Sequence, residues 1–207
     1  MNERIPVLLM LPPAGLTEAE SWVAGGRRAA ACDLAERLKA IPLAGPCFLL
    51  SDEEADRRAF EGIGFELIQT RVRPFQFGEV LADIISTHQF ERLAYFGGAS
   101  APLMGQSTLE DVFERVIKKS APSAVVNNLY SSDWAVFNHA EVINDLKSQL
   151  PTDNPLGWVM QQEAFFDVRS LPPSAGSRLD IDTPTDLILL NGHPEMGRHC
   201  RMTVEQN

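Results

Sequence analysis

Short apolar runs alternate with amphipathic segments through the first 150 residues, and this alternation restricts the chain to few architectures. The run "IPVLLML" reads as a buried strand. "GGRRAAACDLAERLKAI" reads as a helix, with Ala31, Leu34, Ala35 and Leu38 on one face. "PCFLLSDEE" is a strand and a turn, after which Ser51 caps a short acidic helix over Asp52 to Phe60. "FELIQT" is a third strand, and "FQFGEVLADIISTHQ" a helix with Val80, Leu81, Ile84 and Ile85 recurring at three and four. "RLAYFGG" is a strand that ends in glycines. "STLEDVFERVIKKS" opens on a capping box, Ser107 or Thr108 before Glu110 and Asp111, and closes on lysines that suit the negative end of the helix dipole. "SAVVNNLYSSD" is a strand running into a polar turn, and "HAEVINDLKSQL" a helix stopped by Pro151.

Strands that are apolar throughout and separated by helices imply a mostly parallel sheet covered on both faces. The predicted fold is therefore α/β, a three-layer α/β/α sandwich. Residues 151–176 are loop-rich and read as an insertion or sheet edge, with a small antiparallel elaboration near 151–180. One domain over 1–192 and a tail of little periodicity over 193–207 complete the expectation. The chain is 207 residues with 44% hydrophobic content, enough for one real core.

A net charge of −10 repels a phosphate backbone, which argues against general nucleic-acid binding. A small anionic ligand stays compatible, because local amides, arginines or a metal overrule the global field. Three scattered cysteines, Cys32, Cys47 and Cys200, form no CxxC pair and suit a reducing compartment. The first apolar run is short and bounded by prolines, and no stretch reaches the ~20 apolar residues of a membrane span. A cytoplasmic protein is expected, with no membrane partner and with room for a homodimer.

In an open parallel sheet, ligands bind beyond the carboxyl ends of the strands. Three stretches fall there. "FGGASAPLM" puts Gly97, Gly98 and Ser100 at a strand exit, where small residues admit a close ligand or simply make a tight turn. It is neither GxGxxG nor a Walker loop. "NNLYSSDW" offers Asn127, Asn128 and Asp133 to a base or a ribose, although Ser132 or Asp133 could equally cap the next element. "SRLDIDTPTDLILL" is the third. Thr183 as N-cap, Pro184 at the first helical position and Asp186 at the third make a capping box. That helix start leaves Asp180 and Asp182 unexplained. In an extended segment Leu179 and Ile181 point one way and both aspartates the other, roughly 7 Å apart. Like charges so placed favour a bound cation, and Mg²⁺ takes carboxylates together with ligand phosphates. A solvated acidic turn is the plain alternative. His193, His199 and Cys200 fit no standard zinc spacing.

Asp180 to Leu187, "DIDTPTDL", resembles the terminal motif of the MobA-like nucleotidyltransferases, in particular the branch of phospholactate or phosphoenolpyruvate guanylyltransferases. The resemblance implies a GT-A-type fold and Mg²⁺ held by Asp182 with Asp180. It implies transfer of a nucleoside monophosphate from an NTP, GTP by the branch, to a small phosphorylated or carboxylate acceptor. That family carries a second metal aspartate where this chain has Ser100, within "Ala99-Ser100-Ala101-Pro102-Leu103". Its glycine-rich phosphate loop has a displaced counterpart here in Gly25, Gly26, Arg27 and Arg28. A catalytically inactive nucleotide-binding or regulatory domain of the same fold is the alternative that Ser100 supports. A glycosyltransferase reading of the Asp180-Ile181-Asp182 DxD ranks third, because that motif normally follows a central strand.

Overall fold

The computed structural model describes residues 4–205. Seven strands form one sheet: β1 Ile5–Met10, β2 Ala44–Leu50, β3 Glu66–Ile68, β4 Arg92–Gly97, β5 Ser123–Val126, β6 Trp134–Asn138 and β7 Asp167–Ser170. Their order across it is β3-β2-β1-β4-β6-β5-β7. β1 pairs in parallel with β2 and β4, β2 with β3, and β5 with β7. Only β6 runs antiparallel, against both β4 and β5, among the described residues. The antiparallel element thus lies at 134–138, not in the 151–180 region the sequence suggested. "WAVFN" is buried at every position, so it carries no period-two signature, and its two aromatics read as core residues after a turn.

Period-two alternation divides the strand side chains between two cores. Val7 and Leu9 of β1, Val125 of β5 and Trp134 and Val136 of β6 join one cluster. Leu8 and Met10, Ala124 and Val126, and Ala135 and Phe137 join the other. The first core is closed by α1 (Glu18–Lys39) and α4 (Gln106–Ile117), through Leu34, Leu38, Leu109 and Phe113. The second is closed by α3 (Phe77–His88) through Val80, Leu81, Ile84 and Ile85. The α1 and α3 residues are those whose spacing predicted the helices, and together with α4 they show helices on both faces of a mostly parallel sheet.

Several boundaries differ for local reasons. α1 begins at Glu18, not Gly25, because Thr17 and Glu20 form a capping box upstream of the glycines. α2 (Glu54–Phe60) starts after Glu53; Ser51 acts just upstream, its Oγ accepting from Glu53 N at 3.1 Å and donating to Asp56 Oδ2 at 2.6 Å. α4 has Gly105 as N-cap without a side-chain bond, so neither Ser107 nor Thr108 caps it. Residues 140–149 are helical but broken: α5 (Ile143–Leu146) lies between two 3₁₀ turns. The 151–176 region holds α6 (Leu156–Glu163) and β7.

The last elements are α7 (Ala175–Arg178), α8 (Pro184–Leu190) and α9 (Arg198–Glu205). α8 has the predicted capping box of Thr183 and Asp186 with proline at its start. The stretch read as an unpatterned tail is instead docked on α1. Buried Asp33 of α1 accepts the amides of His199 and Cys200 at 2.9 and 3.0 Å, capping α9. Met196 and Cys200 join Val23, Ala30, Ile181 and Leu187 in a third apolar cluster. One anchor before the helix and one on it give no periodicity to read, and the cap for α9 comes from a residue 166 positions away.

Candidate functional site

The carboxyl ends of β1, β2 and β4 open on a cavity of about 670 Å³. β6, being antiparallel, brings its amino end to the same edge, and with it Asp133. One part of the lining is apolar and hydroxylic: Met10, Leu50, Ser51, Thr70, Phe75 and Phe77. The other is acidic: Asp133, Asp153, Asp180 and Asp182, with Arg27 beside them.

Each acidic side chain is held by its own device. Asp180 and Asp182 lie on an extended segment whose Ile181 is wholly buried in the third cluster, which turns both carboxylates toward the cavity as strand geometry predicts. Asp180 accepts from Ile181 N at 2.9 Å. Asp182 is exposed and pairs with Arg27, whose Nη2 donates to its Oδ1 at 2.7 Å and whose Nε donates to Ile181 O at 2.6 Å. Asp133 is fixed by Asn127, whose Nδ2 donates to Asp133 Oδ2 while its Oδ1 accepts from Asp133 N at 3.0 Å. Asp153 accepts from the buried Tyr95 hydroxyl at 2.8 Å.

These carboxylates feel one another. Burial, then the charges of Asp182 and Asp133, push Asp180 up to about 6. Asp133 is also raised, chiefly by burial, with Asp153 and Asp182 adding to it, while the Asn127 hydrogen bond and the charge of Arg178 pull it down. Asp133 and Asp180, partly buried and mutually repelling, form a hard oxygen donor set with the exposed Asp182 beside them. Donors of this kind suit a divalent cation, and Asp180, Asp182 and Asp133 are the residues that would hold one.

The remaining predicted site residues divide. Gly97 and Gly98 do line the cavity, and both need to be glycine. A Cβ on Gly97 would sit 2.9 Å from Asp133 O, and one on Gly98 2.8 Å from Met10 O. Ser100 is there too, but its Oγ donates to Gly97 O at 2.8 Å. Asn127 stands behind Asp133 rather than in the cavity, and Asn128 accepts from Tyr130 N at 3.2 Å as part of a turn. The structure corrects their reading as base or ribose contacts: one positions Asp133, the other shapes the loop.

Gly25, Gly26 and Arg28 are corrected as well. Both glycines lie inside α1, where the amides are spent on the helix and cannot cradle a phosphate. Gly26 is a packing contact, since a Cβ there would reach 2.2 Å from Leu187 Cδ2. Arg28 turns to the buried Asp56, Nε to Oδ1 2.6 Å. The loop that does follow β1 has Pro12 and Pro13, which lack donors. Its Ala14 amide donates to Glu53, and its Leu16 and Thr17 amides to Glu20. A Cβ on Gly25 would point into open space, with nothing within 4 Å of it. Gly25→Ala should therefore stabilise the protein by about 0.5–1 kcal/mol, through helix propensity alone. Urea denaturation reads this, and nucleotide binding should be unchanged.

Sequence reasoning missed Asp153, Tyr95, Ser51, Thr70, Phe75 and Phe77. Tyr95 read as a core strand residue, which it is; only the pairing with Asp153 across 58 positions gives it a second role. Asp153 could have been noticed as an acid just before a helix, but nothing local directs it to the sheet edge. His193 and His199 do not join Cys200 in a metal site. The His199, Asp33 and Glu36 ligand atoms do lie within 4.8 Å of one another. Asp33 is spent on the α9 amides, and Glu36 accepts from Arg198 and from His199 Nε2 at 3.1 Å. That cluster is a helix-docking network.

No family model and no curated protein matches the chain. Solved structures do. The synthetase of CMP:2-keto-3-deoxy-manno-octonic acid, complexed with CTP, superposes with a TM-score of 0.63 at 13% identity over 90% of this chain and 96% of its own. A cytidylyltransferase from Leptospira borgpetersenii gives 0.64 at 15%, covering 99% and 93%. A 4-diphosphocytidyl-2C-methyl-D-erythritol synthase from Anaerococcus prevotii gives 0.63 at 12%, covering 91% and 97%. These neighbours are nucleotidyltransferases, and the likeness shows that this chain has the nucleotide-diphospho-sugar transferase fold. Among the described residues no helix is long and apolar enough to cross a membrane.

Proposed function

We propose that the chain is a nucleotidyltransferase that moves a nucleoside monophosphate from an NTP to a small acceptor, with Mg²⁺ as the metal. The observation that carries this reading is the convergence of Asp133, Asp180 and Asp182 on a cavity at the carboxyl edge of a sheet of this fold. Structural neighbours that include cytidylyltransferases support the class of reaction. The motif "DIDTPTDL" supports guanine as the base by its resemblance alone.

The protein's own contribution would be positioning and charge. Phe75 is 57% exposed at the cavity and offers a ring face to a base, with Thr70 as a hydroxyl partner. Gly97 and Gly98 let a phosphate chain approach the backbone. Among the described residues Arg27 keeps Nη1 free of protein partners while Nε and Nη2 anchor it, so it presents one rigidly held donor to a phosphate oxygen. A dication held by Asp133, Asp180 and Asp182 would supply the charge neutralisation that these carboxylates and a polyphosphate together demand. Transfer needs little else from side chains than this alignment.

A second reading, a nucleotide-binding domain without transfer activity, is favoured by one observation. Ser100 stands where the resembled family carries a metal aspartate, and its hydroxyl is spent on Gly97 O. Thermal-shift titration of ATP, GTP, CTP and UTP, with and without Mg²⁺, tests the common part. A magnesium-dependent rise worth ~2.7 kcal/mol at a hundredfold excess over Kd is expected for at least one nucleotide. No shift with any of the four overturns both readings. Pyrophosphate release in the presence of an acceptor then separates transferase from binder.

A further inference from the structure

Five aspartates line the cavity, Asp52 with the four of the acidic half, against one arginine. That arginine is already committed to Asp182 and Ile181 O. Asp52 is answered from outside the lining by Arg73, Nη2 to Oδ2 2.9 Å. Asp180 and Asp182 are accounted for by the metal reading. Asp153 is left over. Its Oδ2 accepts from Tyr95, and its Oδ1 has no protein partner among the described residues.

The surroundings of Asp153 are specific. The Tyr95 ring lies 5.1 Å from that of Phe77, and both residues line the cavity. On its other side is Gly97, whose missing Cβ would come 3.1 Å from Asp153 Oδ2 and 2.9 Å from Asp133 O. Aromatic rings, a carboxylate with an open oxygen and a second carboxylate across a glycine therefore form one continuous wall. A phosphate or carboxylate group placed there meets like charge from Asp153 and Asp133, while the one arginine of the lining is held on Asp182. An ammonium group meets a charge-assisted acceptor instead.

We propose that the acceptor half of the cavity, at Asp153, takes a molecule carrying a protonated amine together with a hydroxyl nucleophile. This rests on the transferase reading and revises the anionic acceptor that the sequence suggested. In the step itself the acceptor hydroxyl oxygen bonds to the α-phosphorus, and the bond from that phosphorus to the bridging β-phosphate oxygen breaks. Pyrophosphate leaves with that electron pair, and the hydroxyl proton is released to water. The amine stays protonated and unreacted, held at Asp153 as a handle.

Three hexoses of nearly equal shape isolate the charge: glucosamine, glucose and glucuronate. Ligand-observed NMR titration on the full chain, with a non-hydrolysable NTP analogue and Mg²⁺ present, should rank glucosamine about tenfold tighter than glucose, with glucuronate not binding. Asp153→Asn keeps an acceptor for the Tyr95 hydroxyl. It should erase the glucosamine preference while leaving the nucleotide-induced thermal shift at its wild-type size. Equal binding of glucosamine and glucose, tighter binding of glucuronate, or a preference that survives Asp153→Asn each overturns the proposal. Loss of nucleotide binding in the wild type would instead strike the transferase reading. In that case the glucosamine preference, measured without nucleotide, still decides whether the amine subsite exists.

Discussion

Asp180→Asn should abolish the magnesium-dependent part of any nucleotide-induced stabilisation and, without metal, flatten the dependence of Tm on pH. Asp180 is the most perturbed carboxylate of the cavity, raised from 3.8 to about 6 by burial and by Asp182 and Asp133. A group whose folded-state pKa is raised binds its proton more tightly when folded. Its favourable contribution is full below the unfolded value near 3.8 and is lost as pH climbs through about 6. The tighter hold on that proton corresponds to about 3 kcal/mol of stability given up by neutral pH. The metal-free wild type should thus lose stability from pH 4 to 7, and Asp133, raised in the same sense, adds to the slope. Mg²⁺ at pH 7 should recover that loss, because a dication replaces the missing proton. Asparagine carries no charge to relieve, so the variant should be steadier in EDTA at pH 7 than the wild type and indifferent to Mg²⁺. Scanning calorimetry across pH 4–7, with and without Mg²⁺, decides it. A variant whose Tm still rises with nucleotide and magnesium as the wild type does removes Asp180 from the metal site.

The parts of this molecule that were legible in its sequence are those written locally. The alternation of Val7, Leu8, Leu9 and Met10 between two cores follows from strand geometry, and Val80, Leu81, Ile84 and Ile85 face the sheet as their spacing says. The Thr183–Pro184–Asp186 start of α8 is likewise a short-range statement, and it left Asp180 and Asp182 as residues in want of a second explanation. What was illegible depends on long-range pairing. β6 is too short and too evenly buried to announce a direction, yet its reversal is what carries Asp133 to the cavity. Gly25-Gly26-Arg27-Arg28 resembles a phosphate loop in composition, but Thr17 and Glu20 start the helix upstream and absorb all four positions into α1. Of these, Arg27 alone reaches the site, because its angle on the helix faces Ile181 and Asp182.

Gly78→Ala should be among the most destabilising single substitutions in the chain, at about 3 kcal/mol or more, and should also take nucleotide binding with it. Gly78 is the second residue of α3, where an alanine is normally welcome. Here a Cβ would lie 2.2 Å from the backbone oxygen of Lys147 and 2.9 Å from Leu150 Cβ. The Gly78 amide meanwhile donates to Leu150 O at 2.9 Å. Backbone on one side and a ladder-like hydrogen bond on the other leave no flexible side chain to yield, so α3 must move away from the 147–150 turn. The consequence reaches the cavity, since Phe77 precedes the glycine, and Pro151, Thr152, Asp153 and Asn154 follow Leu150 on its wall. Separating these two segments parts the Phe77 ring from Tyr95, which disturbs the apolar half where the base would sit, and in the acceptor half it carries Asp153 off its hydroxyl donor. Urea denaturation at pH 7 reads the stability, and the nucleotide thermal shift of the folded fraction reads the site. Gly25→Ala is the control for any general effect of replacing helical glycine, and it should move stability the opposite way. If Gly78→Ala behaves like that control, the close contact of α3 with the 147–150 turn is not what shapes this wall, and the placement of Asp153 must come from α6 alone.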